Sequence, residues 1–198
     1  MADRTGKQSR ETRETRVSVE LNIDGSGRYE IDTGSGMFDH MLAQLARHGL
    51  IDLSVSATGD THVGWHHLVE DVGIALGRAL KEAVGDAGGI SRMAHAYVPL
   101  DEALALSVVD FGGRGHAVVD VYPGDGDLGG LPIDLLGHFL ETLAREGGFN
   151  LHARVLTGAN NHHKAEALFK SLARALRAAL ALDPRLSGEI PSTKGIIG

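Results

Sequence analysis

Two five-residue stretches hold the residue types best suited to chemistry. His66-His67-Leu68-Val69-Glu70 recurs ninety-six residues later as His162-His163-Lys164-Ala165-Glu166. On an α-helix, residues i and i+4 share a face, so His66 and Glu70 can grip one cation, and so can His162 and Glu166. His67 and His163 are each turned by about 100° from the histidine before them and must point elsewhere. Two motifs, each with a ligand pair and one diverging histidine, imply two ions that exchange ligands. The expectation is a dinuclear metal centre.

The rest of the composition narrows that chemistry. The chain has no cysteine, which excludes disulfides, thiolate zinc sites and a cysteine nucleophile, so any metal is held by nitrogen and oxygen. A formal charge of −7 argues against a nucleic-acid surface and means that an anionic substrate needs a local basic pocket. No apolar run approaches the ~20 residues of a membrane span. Met1–Arg16 alternates basic and acidic residues without an apolar core, unlike a signal peptide. A cytoplasmic protein is expected, with residues 1–10 as a solvated tail.

The elements that must position the motifs form a repeat. Thr15–Ile23 alternates as a strand, Asp24–Gly27 turns, and Arg28–Asp32 returns. Phe38–Arg47 has helical spacing and stops at Gly49, Ile51–Ala57 is a strand, and a helix runs from about Trp65 to Val84. In the second half Ala94–Val109 supplies one long strand or two short ones, broken near Pro99. Phe111–Gly115 turns and His116–Val121 returns. Ile133–Arg145 is helical, Phe149–Leu156 a strand, and His162–Leu182 the last helix. The expected fold is α+β, an internal duplication of a ββαβα unit across 11–89 and 90–184, joined by Gly85–Gly89. Two small sheets would enclose the helices about a pseudo-twofold axis. His40 corresponds to His138 in this alignment, which gives each short helix one candidate ligand. The other histidines, His62, His95, His116 and His152, read as surface or hydrogen-bonded residues.

These residues resemble the imidazole-glycerol-phosphate dehydratase family of histidine biosynthesis. Phe38-Asp39-His40-Met41-Leu42, His66–Asp71, Asn161–Ala167 and Pro191-Ser192-Thr193-Lys194-Gly195 match its motifs in order, and Arg13-Glu14-Thr15 resembles its opening strand. The chain departs from the family at Gly64-Trp65 and at Gly137, where acidic residues are usual. The resemblance implies a dehydratase that converts imidazole glycerol phosphate to imidazole acetol phosphate. It also implies two manganese ions per site, a homo-oligomer of twenty-four subunits and no nucleic-acid or membrane partner. Carried over by motif, one ion falls to His40, His66, Glu70 and His163, and the other to His67, His138, His162 and Glu166. Arg92, Arg114, Ser192 and Lys194 match phosphate-binding positions, which makes 185–198 a substrate-contacting tail. Glu14 is the candidate for proton transfer, and both Glu14 and His48 are expected to contact substrate.

The reaction itself explains the need for metal. The hydrogen to be removed has no carbonyl beside it, so simple base catalysis fails. A ring held as imidazolate by metals on both nitrogens can expel the neighbouring hydroxyl, giving a diazafulvene-like intermediate, and loss of the next hydrogen yields an enol. Two rival functions remain to be weighed. A dinuclear metallohydrolase needs a carboxylate bridging the ions, whereas each glutamate here has its own helix partner. A non-catalytic metal-binding protein leaves Arg92, Arg114 and Lys194 without a purpose.

Overall fold

The computed structural model describes residues 3–120 and 126–197. Strands β1 (Thr5–Glu11), β2 (Thr15–Asn22) and β3 (Tyr29–Asp32) precede helix α1 (Gly36–Gly49), strand β4 (Asp52–Gly59) and helix α2 (His66–Val84). The order then repeats with β5 (Met93–Leu100), β6 (Ala103–Asp110) and β7 (Ala117–Asp120). A short hairpin follows, β8 (Asp127–Leu128) with β9 (Leu131–Pro132). Then come α3 (Asp134–Gly147), β10 (Asn150–Thr157) and α4 (Asn161–Leu180). Each half builds a four-stranded sheet, in the orders β1-β2-β4-β3 and β5-β6-β10-β7. In both, the third strand in sequence pairs in parallel with the strand after the short helix, and the other pairings are antiparallel.

The duplicated α+β plan holds, but the repeating unit has one more strand than ββαβα. Thr5–Glu11, expected within a solvated tail, pairs with β2 along its whole length, from Thr5 opposite Asn22 to Glu11 opposite Arg16. Its inward residues are small or polar, so the apolar alternation of a half-buried strand is missing. Gly6 lies so close to α2 that a Cβ would overlap the Ala79 carbonyl. Gln8 Nε2 donates to Glu82 at 2.9 Å, and Arg10 Nε donates to Asp71 at 2.6 Å. The stretch Ala94–Val109 resolves into β5 and β6, hinged at Asp101-Glu102. Val121, placed at the end of the returning strand, lies outside the described residues.

Helices fill the space between the sheets because their apolar faces recur at helical spacing. In α2 the buried set includes Leu68, Val69, Val72, Ala75, Leu76, Ala79, Leu80 and Ala83. The short helices cross between halves: α2 packs on α3, and α1 packs on α4. Two glycines let α2 and α3 approach. A Cβ at Gly73 would stand 3.2 Å from Thr142 Cβ, and one at Gly77 would stand 2.9 Å from the Leu143 carbonyl oxygen. Phe38, Phe139 and Phe169 join α1, α3 and α4 in one core, with ring centroids 5.2 and 5.8 Å apart. Among the described residues no helix is long and apolar enough to cross a membrane.

Candidate metal centres and phosphate cradle

Both histidine motifs open their long helices. Asn160 caps α4 by accepting from the backbone N–H groups of His162 and His163, while α2 starts at Trp65 without a side-chain cap. Trp65 is half-buried against the core and so has a packing role of its own. Because each short helix packs on the long helix of the other half, the motifs meet ligands from across the molecule. His40 on α1 joins His162 and Glu166. His138 on α3 joins His66 and Glu70. In each group the ligand atoms lie within 4.8 Å of one another. Within one chain this grouping differs from the expected sharing of ions, which put His40 with His66 and Glu70, and His138 with His162 and Glu166. Spacing along one helix fixes the i, i+4 pair but not which short helix packs beside it.

The two clusters differ in detail. His40 Nε2 and His162 Nε2 stand 3.2 and 3.0 Å from the same Glu166 oxygen, with the rings stacked at 5.4 Å. Burial pushes the Glu166 carboxyl up, but Lys170, at 2.5 Å from Oε1, and His40 outweigh it and hold it down at about 2. In the other cluster His66 and His138 stack at 4.7 Å, and His138 Nε2 is 3.7 Å from Glu70. That Nε2 atom is buried with no hydrogen-bond partner. An orphaned buried nitrogen beside a carboxylate and a second imidazole suits a cation ligand, and the nitrogen–oxygen set suits divalent metals other than soft thiophilic ones.

His67 and His163 diverge from both clusters, and each is held by a carboxylate at Nδ1. His67 faces Asp60 at 3.0 Å, with Glu14 further off at 3.8 Å. His163 donates to Glu102 at 2.7 Å. Asp60 and Glu102 raise the pKa of their histidines. Glu102 is itself held down at about 2, first by the Asn160 backbone N–H and then by His163. Neither carboxylate stands out in the sequence, because acidic residues in turns ordinarily face solvent. The signal for Glu102 was the repeat: it precedes β6 as Glu14 precedes β2.

Glu14 sits in the β1–β2 turn, with its backbone fixed and its carboxylate exposed. Its N–H donates to Thr12 Oγ1 at 3.1 Å, and its carbonyl accepts from Asp60 N–H at 3.0 Å. Behind the turn, buried Asp71 takes hydrogen bonds from Thr15 and Arg10. His48 lies two turns beyond His40 on α1, and burial, with Lys170 nearby, lowers its pKa.

Arg92 and Arg114 meet at the far end of the long helices. Arg92 has φ +69°, a strained conformation for a side-chain-bearing residue. It is held there by its N–H on the Ala179 carbonyl at 2.8 Å and its carbonyl on Phe111 N–H at 3.1 Å. Its guanidinium is aimed by Asp110 at 2.7 Å and donates to the Pro191 carbonyl at 2.7 Å, which ties down the tail carrying Ser192 and Lys194. The terminal nitrogens of Arg92 and Arg114 converge on Gly112, each 3.5 Å from where a Cβ would stand. The structure thus joins Arg92, Arg114 and the tail into one cradle. Both long helices begin at the histidine clusters and end near this cradle.

Residues 33–176 match the family described as imidazoleglycerol-phosphate dehydratase. The chain is 57% identical over 197 residues to the imidazoleglycerol-phosphate dehydratase of Dehalococcoides mccartyi strain 195, covering 100% of this chain and 99% of that one. It is 56% identical over 188 residues to the Chloroflexus aggregans protein of the same name, covering 95% and 92%. The solved structure from Pyrococcus furiosus, in complex with (S)-C348, aligns with TM-score 0.82 at 38% identity over 96% of this chain and 99% of that one. The Staphylococcus aureus structure aligns with TM-score 0.81 at 30% identity, covering 90% and 99%.

Proposed function

Because the chain belongs to the imidazoleglycerol-phosphate dehydratase family, we propose that its two histidine–carboxylate clusters are the metal sites of that hydro-lyase of histidine biosynthesis. The observation that carries this reading is the matched pair of clusters, with His138 Nε2 buried and unpartnered in one of them. His66, Glu70 and His138 would hold one manganese ion, and His40, His162 and Glu166 the other. When bound, the ions supply Lewis-acid polarisation and fix the substrate's imidazole ring. Two imidazoles and one carboxylate from each cluster, with a third imidazole from His163 or His67, would leave room for substrate on a six-coordinate metal but would nearly saturate a four-coordinate zinc.

We further propose that the site is shared between copies of the chain in a homo-oligomer of twenty-four subunits, acting in the cytoplasm. A distance supports the sharing. Arg92 is hydrogen-bonded to Ala179 in the last turn of α4, thirteen residues from Glu166 of the nearer cluster, or about 20 Å at the α-helical rise of ~1.5 Å per residue. Imidazole glycerol phosphate is a ring, three carbons and a phosphate, spanning roughly 10 Å at ~1.5 Å per bond. That gap supports a substrate molecule drawing its clusters from one copy and its cradle from another. His163 of a neighbouring copy would complete the ion at His66, Glu70 and His138, and His67 of a neighbour would complete the other. Met93, Tyr97, Val108 and Leu156 are exposed apolar residues on the second sheet, which supports contact between copies.

Within that shared site each group has one task. Arg92, Arg114, Ser192 and Lys194 bind the phosphate, the arginines by paired N–H contacts and the lysine as a point charge. Glu14, exposed and set on a fixed backbone, removes or returns the proton at the substrate carbon, and His48 contacts substrate. We read 11–89 and 90–184 as the two halves of one integrated enzyme domain and 185–198 as the substrate-contacting tail. A metallohydrolase would need a carboxylate shared by both ions, and Glu70 and Glu166 belong to separate clusters. The test is a direct assay of imidazole glycerol phosphate dehydration with and without added manganese. Turnover that depends on the metal is expected. Tight retention of metal with no turnover would overturn the catalytic reading of this site.

A further inference from the structure

We propose that Glu102 is a positioning residue: it fixes His163 as the tautomer with its proton on Nδ1, leaving Nε2 free to bind metal. The inference rests on reading His163 as a ligand. Glu102 forms the two-residue turn between β5 and β6 with Asp101, and three donors converge on its carboxylate. Oε1 accepts from the backbone N–H groups of Ala159 and Asn160, at 3.1 and 2.8 Å. Oε2 accepts from His163 Nδ1 at 2.7 Å. Asn160 in turn caps His162 and His163 at 2.8 and 3.2 Å. One side chain thus anchors the start of α4 and sets the ring that leaves it.

A carboxylate can satisfy all three donors because both of its oxygens are acceptors. A glutamine cannot. Its single oxygen must stay with the two backbone N–H groups, which turns its NH2 toward His163 Nδ1. That nitrogen must then be an acceptor, so the ring proton moves to Nε2 and blocks the atom that would bind metal. Histidine ligands are commonly set in this way by the partner of the other ring nitrogen. Asp60 provides an internal contrast. Both of its oxygens face His67 Nδ1, at 3.2 and 3.0 Å. An asparagine there can turn its oxygen to the ring and keep the tautomer.

The experiment uses the full chain loaded with Mn2+ and dialysed against graded chelator, with ions per chain counted by elemental analysis. Metal-free protein is melted in parallel. Glu102→Gln is expected to weaken one of the two ions by about 10–100-fold, the usual effect of losing the partner of a metal-binding histidine. Glu102→Ala should weaken it less, because a released ring can adopt either tautomer, yet it should melt lower, because the start of α4 loses its anchor. Asp60→Asn should retain both ions. In 15N-histidine spectra of the metal-free protein, Glu102→Gln should move the His163 proton from Nδ1 to Nε2. If Glu102→Ala proves worse than Glu102→Gln in both metal retention and melting, Glu102 is only a loop anchor and the proposal falls. His163→Ala separates the two readings: wild-type retention of both ions there would refute His163 as a ligand, whatever Glu102 does to the tautomer.

Discussion

The turn before β2 and the turn before β6 occupy the same place in the two halves, and each carries a glutamate. In the second half Glu102 is bound to His163 and to the start of α4. In the first half Asp60 faces the diverging histidine, and Glu14 stays 3.8 Å away with an exposed side chain. Position 158, where the second half aligns with Asp60, is glycine, and the other acid near His163, Asp101, stands 3.8 Å from Nε2 while Glu102 holds Nδ1. The anchoring differs to match. Asp71, next to Glu70, holds the Glu14 turn from behind through Thr15 and Arg10, whereas its counterpart is Ala167. Among the described residues the duplicated fold has thus kept two histidine–carboxylate clusters, with one turn glutamate bound tightly to its histidine and the other standing off. On the proposed reading, symmetry would serve the ligands and departure from it the proton transfer.

The same substitution at the two glutamates should have unlike effects. Glu14→Gln is expected to lower kcat by about 10²–10⁴-fold, the range for general acid–base groups, with both ions retained. Steady-state kinetics alongside elemental analysis checks it, and near-normal turnover would remove Glu14 from its assigned role. Next in size is the anchor. Asp71→Ala leaves Arg10 and Thr15 without their acceptor and should cost about 1–3 kcal/mol in chemical denaturation, as for an unsatisfied partly buried donor. It should also lower kcat, because the turn carrying Glu14 loosens.

A third change addresses the far end of the molecule. Lys194→Ala removes a charge-assisted phosphate contact and touches neither cluster, so KM should rise about tenfold while metal content stays normal, for a contact worth ~1.5 kcal/mol. The smallest effect expected concerns the clusters themselves. Lys170 neutralises Glu166, whereas Ile74 holds the matching position beside Glu70. Lys170→Met should tighten the ion at His40, His162 and Glu166 by about fivefold, as for a pair worth ~1 kcal/mol, and leave the other ion alone. Metal titration by calorimetry would show one site shifting.

How much of this was legible follows from where each signal lies along the chain. His66, Glu70, His162 and Glu166 were readable because helical periodicity alone puts each pair on one face. The partners His40 and His138 were readable as candidates, but their assignment was crossed. Packing of α1 on α4 and α2 on α3 puts each beside the other half's motif, and that contact is long-range. Strand β1 escaped because its inward face, Gly6, Gln8 and Arg10, is fitted to close approach and polar contact with α2 rather than to apolar burial. Without β1, the correspondence of Glu14 with Glu102 was hidden, and with it the contrast between the halves. Arg92 and Arg114 were named through resemblance, but their distance from the clusters emerged only from the bond between Arg92 and the last turn of α4.

On the proposed reading, two ions sit at the two clusters and each is completed by a histidine from another copy. Anomalous diffraction from manganese-loaded crystals tests it most directly. Two peaks per chain are expected, one among His66, Glu70 and His138 and one among His40, His162 and Glu166. A neighbouring copy's His163 Nε2 should reach the first and a neighbouring copy's His67 Nε2 the second. A peak held instead by Glu14, Asp60 and His67 of one chain, or clusters filled with no histidine from a neighbour, would rule out sites shared in this way.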